Sequence, residues 1–243
     1  MEDAFERALR LALASPAPEG IGTLAEKSLH RVLKYYYEPD AFRHEQPVGG
    51  FFADILNADG VTEIQTGSFF HINKKLGEFL KTERVTLVCP VIRRRRLIYI
   101  DGEGELSRPR VSPKKGRVED VFRELVHILP RLGDGNLVIC VPLVDADEYR
   151  LRREKVRKFH DKGYDKLDLV PTALVSETVF KTREDYLRLL PDLPEGFTAK
   201  ELASALKLDI RTSQAMCRAL TSAGALNRER VGRSYLYKVI TDN

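Results

Sequence analysis

The stretch Phe51–Gly67, FFADILNADGVTEIQTG, constrains this chain more than any other. Two short runs with strand character, Phe51–Leu56 and Val61–Gln65, flank Asn57-Ala58-Asp59-Gly60, a cluster of residues that accept tight reversals. A loop of those four residues fixes the register: Leu56 faces Val61, Ile55 faces Thr62 and Asp54 faces Glu63. Side chains alternate along a strand, so Asp54, Glu63 and Gln65 share one face while Ala53, Ile55 and Ile64 point to the other. Like charges directly opposed destabilise a sheet by roughly 0.2–1 kcal/mol. A bound divalent cation would reverse that cost. The plainer reading is a solvated hairpin that carries acids for solubility. Against it, Phe51, Phe52 and Ile55 are too apolar for a ribbon in water, and a helix with a long apolar face follows at once. The acids are expected near a core.

Upstream, Thr23 opens an expected helix in which Ala25, Leu29, Val32, Leu33 and Tyr36 form one stripe. Glu26 stands three residues after Thr23, the spacing of a capping box in which the Glu folds back on the helix start. Downstream, Ser68 is placed to cap a helix running to about Lys81, with Phe69, Ile72, Leu76, Phe79 and Leu80 inward. Lys74 and Lys75 share much of its other side, which either faces solvent or delivers positive charge to the acids.

This order of elements resembles the PD-(D/E)XK nuclease superfamily, the restriction-endonuclease-like fold, over roughly Leu24 to Val91. That family carries a Glu on a helix, an Asp and then Glu-x-Lys on a hairpin, a second helix and a further strand. The matching positions here are Glu26, Asp54, Glu63 and Gln65, with Gln65 where the family usually has Lys and Ala53 where it usually has Pro. The resemblance implies an α/β fold with a mixed central sheet flanked by helices. It implies a site in which Asp54, Glu63, the Ile64 carbonyl and, unless its capping box holds it, Glu26 bind Mg²⁺ or Mn²⁺ to hydrolyse phosphodiester bonds. Gln65 can hydrogen-bond a water but carries no charge, so Lys74 or Lys75 is the candidate to supply it.

The rest of the chain reads as further elements. Residues 1–14 predict an amphipathic helix with Phe5, Leu9 and Leu13 on one side, an accessory element or an oligomer contact, and Ala41–Pro47 predicts a strand. Val85–Ile92 reads as one buried strand and Arg93–Arg96 as the hairpin tip before a strand at Leu97–Asp101. The loop Gly104–Arg117 carries Arg108, Arg110, Lys114, Lys115 and Arg117, a candidate phosphate-binding cluster or an ordinary exposed loop. A helix over Val118–Leu129, a buried strand over Leu137–Val144 and a highly charged segment over Asp147–Lys158 follow.

Pro191–Gly196 reads as a linker. Beyond it, Thr198 and Glu201 spell a capping box for helix Ala199–Leu206, Asp209 caps helix Ile210–Ala223, and Leu226–Arg230 with Ser234–Ile240 forms a hairpin. With Arg183–Leu190 as a first helix, residues 183–243 resemble a small winged helix-turn-helix domain, and 1–182 form the nuclease-like domain. That resemblance places Arg211, Thr212, Gln214 and Arg218 toward DNA bases and Arg228, Arg230 and Arg233 on the wing. From Glu195 onward there are eight Lys and Arg against five Asp and Glu, most of the chain's net charge of +4.

At 43% apolar and 31% charged residues, a soluble globular protein is expected rather than a disordered one. No apolar run reaches membrane-spanning length, no secretory signal opens the chain, and Cys89, Cys140 and Cys217 lack metal-ligand spacing, so a cytoplasmic protein with buried thiols is expected. No small-molecule cofactor motif is evident. Three functions stand: a metal-dependent DNA nuclease, acting as a homodimer if both strands are cut; a catalytically inactive DNA-binding or regulatory protein; and a protein-assembly module.

Overall fold

Apolar residues at periods of two and of 3.6 alternate along the chain, and a computed structural model shows strands and helices built on them. The structure describes residues 3–14, 27–153 and 163–241. Thr23 and Glu26, with their capping box and the proposed metal ligand, lie outside the described residues.

In chain order the first elements are helices α1 (Ala4–Ala14) and α2 (Ser28–Tyr37), strands β1 (His44–Val48), β2 (Phe51–Asn57) and β3 (Gly60–Ile64), and helix α3 (Ile72–Phe79). Strands β4 (Val85–Val88), β5 (Val91–Ile100) and β6 (Arg110–Val111), the short helix α4 (Phe122–Leu125), and the long strands β7 (Leu137–Arg152) and β8 (Tyr164–Phe180) follow. Helices α5 (Arg183–Leu187), α6 (Ala199–Leu206) and α7 (Ile210–Ser222) precede strands β9 (Leu226–Val231) and β10 (Ser234–Val239). The class is α/β, with parallel and antiparallel strands in a large mixed sheet and helices flanking it.

The chain divides into two compact units. One gathers Gln46–Cys89, Val118–Val141 and Thr178–Asn243. Here β2 and β3 pair antiparallel with Ile55 opposite Thr62 and Leu56 opposite Val61, the register that the turn residues predict. β3 pairs parallel with β4, which pairs parallel with Leu137–Cys140 of β7. Val85, Leu87, Val88 and Ile139 are buried, as the continuous apolar runs of parallel strands require. Ile72, Leu76 and Phe79 of α3 join that core.

The sequence predicts one helix over Val118–Leu129. The structure instead has 3-10 turns at Val118–Val121 and Val126–Arg131 on either side of α4, with Ile128 outside helical geometry (φ −123°) and Pro130 unable to donate a ladder hydrogen bond. Phe122 and Phe180 are fully buried, with Phe180 stacked on Tyr186 of α5 at 4.8 Å between ring centroids. At the C-terminal end the Thr198–Glu201 capping box forms, Asp209 accepts from the Arg211 and Thr212 N–H groups, and β9 and β10 pair as a hairpin. α7 is tied to the 3-10 turn after α4 by the Ser222 hydroxyl, which donates to the Leu129 carbonyl at 2.5 Å.

The other unit gathers Met1–Glu45, Pro90–Arg117 and Pro142–Glu177. α1 packs on α2 through Phe5, Ala8, Ala12 and Val32, and Leu13 of the predicted stripe is instead 54% exposed. α2 opens at Ser28 rather than Thr23, with Lys27 extended, and its start is capped from β8: the Ser28 N–H and hydroxyl both donate to the Asp168 carboxylate. Within this unit β5 pairs parallel with β7 and antiparallel with β6.

Two readings of charge are corrected here. The apolar run Val85–Ile92 is two strands, broken at Cys89 and Pro90, and Arg93–Arg96 lie inside β5 rather than at a hairpin tip. Arg93, Arg95 and Arg96 pair with Asp145, Glu148 and Asp147 of β7 at 2.6, 2.6 and 2.5 Å. The charged segment that opens at Asp147 therefore begins as a strand, with Asp147 and Glu148 buried against arginines.

Candidate functional site

The hairpin of β2 and β3 brings its two acids together. Its turn is held by the Asn57 side chain, which accepts from the Asp59 N–H at 3.0 Å. Gly60 follows at φ +109°, where an added Cβ would lie 2.4 Å from the Arg84 carbonyl oxygen. Only glycine lets β3 approach the end of the α3–β4 loop this closely.

Backbone parity then orients the strand. The Val61 and Gln65 N–H groups donate to the Arg84 and Val88 carbonyls on the β4 side, so Ile64 turns its own toward β2. There the Ile64 N–H donates to Asp54 Oδ2 at 2.7 Å, and the Asp54 N–H lies 3.5 Å from Glu63 Oε2. Both carboxylates are buried, at 7% and 5% exposure. Lys75 of α3 completes the group by donating from Nζ to Glu63 Oε1 at 2.5 Å. Burial, and next the neighbouring Asp54 charge, push the Glu63 carboxyl up to about 7, while Lys75 pulls against them.

The expected site residues thus separate. Asp54, Glu63 and Lys75 meet, with the Ile64 backbone beside Asp54. Gln65 is turned away to donate from Nε2 to the Ser68 carbonyl at 2.9 Å, which ties the strand end to the next turn. Lys74 is exposed and borders a separate hollow with Glu78, Lys81 and Arg131, so it does not reach the acids.

Among the described residues no group of three or more His, Cys, Asp and Glu side chains is placed to hold a metal ion. The carboxylate pair nevertheless fits a hard divalent cation. Mg²⁺ accepts one or two carboxylates and keeps several waters. Burial first, and then the neighbouring Asp54 charge, make the Glu63 carboxylate costly to ionise, a cost that a divalent cation on the pair would offset.

The basic candidates fall in two places. Arg108, Arg110, Lys114, Lys115 and Arg117 are exposed on and around β6 in the unit that holds α1 and α2. In the other unit, Arg211, Gln214 and Arg218 of α7 line an open groove of about 740 Å³ with Arg228 and Arg233 of the β9–β10 hairpin. Arg230 is exposed and donates to the Gly232 carbonyl. Thr212 is corrected: it is fully buried, with its hydroxyl 2.6 Å from the Asp209 carboxylate, and it serves the helix cap rather than a ligand. Arg123 of α4 and Lys200 of α6 line the same groove and carry no sequence motif. Each holds an exposed position on a helix that buries two residues, Phe122 and Leu125 in α4 and Leu202 and Ala203 in α6.

The family described as "Domain of unknown function (DUF8091)" matches residues 27–181. That span includes Asp54, Glu63 and Lys75 and stops before α6 and α7. A relative described as "Uncharacterized protein" from Treponema pallidum (strain Nichols) is 29% identical over 188 residues, covering 75% of this chain and 73% of that one. No solved structure matches the chain.

Proposed function

We propose that this chain, which belongs to the DUF8091 family, is a metal-dependent nuclease with a restriction-endonuclease-like core and a C-terminal winged-helix module that binds DNA. The observation that carries the reading is the opposition of Asp54 and Glu63 on adjacent strands, buried, with the Lys75 ammonium on Glu63. The proposed division places the module at 183–243.

Asp54 and Glu63, with the Ile64 carbonyl as neighbour, would hold the cation. Mg²⁺ or Mn²⁺ supplies the neutralisation of phosphate charge and the activation of water that phosphodiester hydrolysis needs. The chain's own groups do the rest. The Ile64 N–H fixes the Asp54 carboxylate in place. Glu63, held by Lys75 on one oxygen and close to the Asp54 N–H with the other, sets the second carboxylate of the pair in position. Lys75 delivers from a helix the positive charge that the resembling family carries on the strand, where this chain has Gln65, and can stabilise charge on phosphate oxygens.

A second reading has its own support. Lys75 already sits on Glu63, and no three-ligand cluster occurs among the described residues, as a catalytically inactive DNA-binding protein would have it. Cleavage of duplex, single-stranded, nicked and branched DNA by wild type, Asp54→Ala, Lys75→Ala and Lys74→Ala separates the two. The nuclease reading expects cleavage that needs Mg²⁺ or Mn²⁺ and is abolished by chelator and by Asp54→Ala. Lys75→Ala should lower it by about 10²-fold or more, the usual cost of removing one charge-stabilising donor, with Lys74→Ala near wild type. Wild type that cuts nothing with either metal sinks this reading in favour of the second.

A further inference from the structure

Six cations line one groove, and among the described residues no acid lines it with them. Arg123, Lys200, Arg211, Arg218, Arg228 and Arg233 border the 740 Å³ hollow, beside Gln214 and Tyr235. None of the six forms an ion pair with another described residue. Arg228 lies instead over the Tyr235 ring, 4.5 Å from its centroid, and Arg123 acts on Asp209 only through space, a smaller influence than the hydrogen bonds of Thr212. The arginines of β5 differ: Arg93, Arg95 and Arg96 are each matched to an acid of β7. Crowded like charges repel, and no described acid offsets these, so the groove suits an anionic ligand.

The concavity selects the anion. A duplex read through its major groove, about 12 Å wide, needs a helix that projects into it. Here the exposed face of α7 shares a hollow with Arg123, Lys200 and the hairpin. The hollow is open to solvent and has a volume of about 740 Å³, room for part of one strand. Grooves that take single strands combine basic residues with an aromatic face on which a base stacks. Tyr235, 43% exposed and backed by Arg228, presents such a face.

We propose that this groove holds a segment of single-stranded nucleic acid, its phosphates on Arg123, Lys200, Arg211 and Arg218 and one base on Tyr235. The proposal rests on the nucleic-acid reading above and names the form in which the strand is bound. The test uses the full chain carrying Asp54→Ala, in chelator, so that nothing is cut. Fluorescence anisotropy follows binding of an oligothymidylate, a duplex of the same length and an abasic strand. The oligothymidylate should bind at least ~10-fold more tightly than the duplex, and Tyr235→Ala should weaken it roughly 5- to 150-fold, the worth of one stacked base. Tyr235→Ala should leave the abasic strand unchanged, and Tyr235→Phe should restore the oligothymidylate. Arg123→Ala with Lys200→Ala should weaken both single strands and flatten the logarithmic salt slope by about 1.4. A duplex bound as tightly as the single strand, a Tyr235→Ala variant no weaker than its parent, or binding to none of the three overturns the proposal. Because Asp54 and metal are absent throughout, failure of the cleavage assay leaves this result standing, and failure here leaves cleavage standing.

Discussion

Glu63 holds its proton more tightly in the folded chain than in the unfolded one, because burial and the Asp54 charge raise it from an ordinary 4.5 to about 7. As pH rises past 4.5 the unfolded chain releases that proton first, so the contribution of Glu63 to stability is fullest below 4.5 and is lost by about 7. The loss is on the order of 3 kcal/mol. Glu63→Gln cannot ionise, so urea unfolding at about pH 5 and about pH 8 should show the variant gaining on wild type by that order as pH rises. Mg²⁺ added at the higher pH should shrink the gap by favouring the wild-type carboxylate, and a gap that ignores both pH and Mg²⁺ would show that Glu63 is neither perturbed nor a ligand. At this scale much was legible. Strand parity alone opposes Asp54 and Glu63, since each residue of a strand switches face. Parity could not choose Lys75 over Lys74: adjacent helical residues point about 100° apart, and which one meets the hairpin depends on how α3 docks.

The β2–β3 hairpin is local, and its turn chemistry sufficed to set the register; the same holds for α6 and α7, whose caps Thr198 and Asp209 lie within three residues of their partners. Elements that depend on distant partners were not legible in this way. The start of α2 is satisfied by Asp168, 140 residues away, and Tyr164–Phe180 forms a long strand although its burial alternates too irregularly to signal one. The broken helix around α4 gives way at Ile128 and Pro130, where the apolar spacing alone still reads as helix. Gly60 tests how far the hairpin depends on its own backbone. Gly60→Ala places a Cβ 2.4 Å from the Arg84 carbonyl in a left-handed conformation, a strain of roughly 1–3 kcal/mol. The expected result is a melting temperature lower by about 2–4 °C for each kcal/mol, with Glu63 displaced and metal-dependent activity lost along with it. An unchanged melting temperature would mean that the turn tolerates a second geometry.

Across the molecule, arginines do two different jobs, and their neighbours distinguish them. Arg96 makes two parallel hydrogen bonds to Asp147, at 2.6 and 2.5 Å, and Asp147 is 7% exposed. Arg211 of α7 is exposed, lines the groove and has no carboxylate partner among the described residues. In the sequence both are simply basic residues near other basic residues, and the run Arg93–Arg96 is the more conspicuous candidate for phosphate. Pairing across β5 and β7 decides otherwise, because the acids that neutralise the run lie some fifty residues away and become its neighbours only through the parallel register. Removing Arg96 strands a buried carboxylate, so Arg96→Ala should cost about 1–3 kcal/mol in urea unfolding and leave nucleic-acid affinity unchanged. Arg211→Ala removes a charge whose like-charged neighbours repel it, so stability should hold within about 0.5 kcal/mol while affinity falls and the salt slope flattens by about 0.7 on a single strand. Exchanged outcomes, with Arg96→Ala impairing binding and Arg211→Ala impairing folding, would refute the assignment of structural charge to β5 and functional charge to the groove.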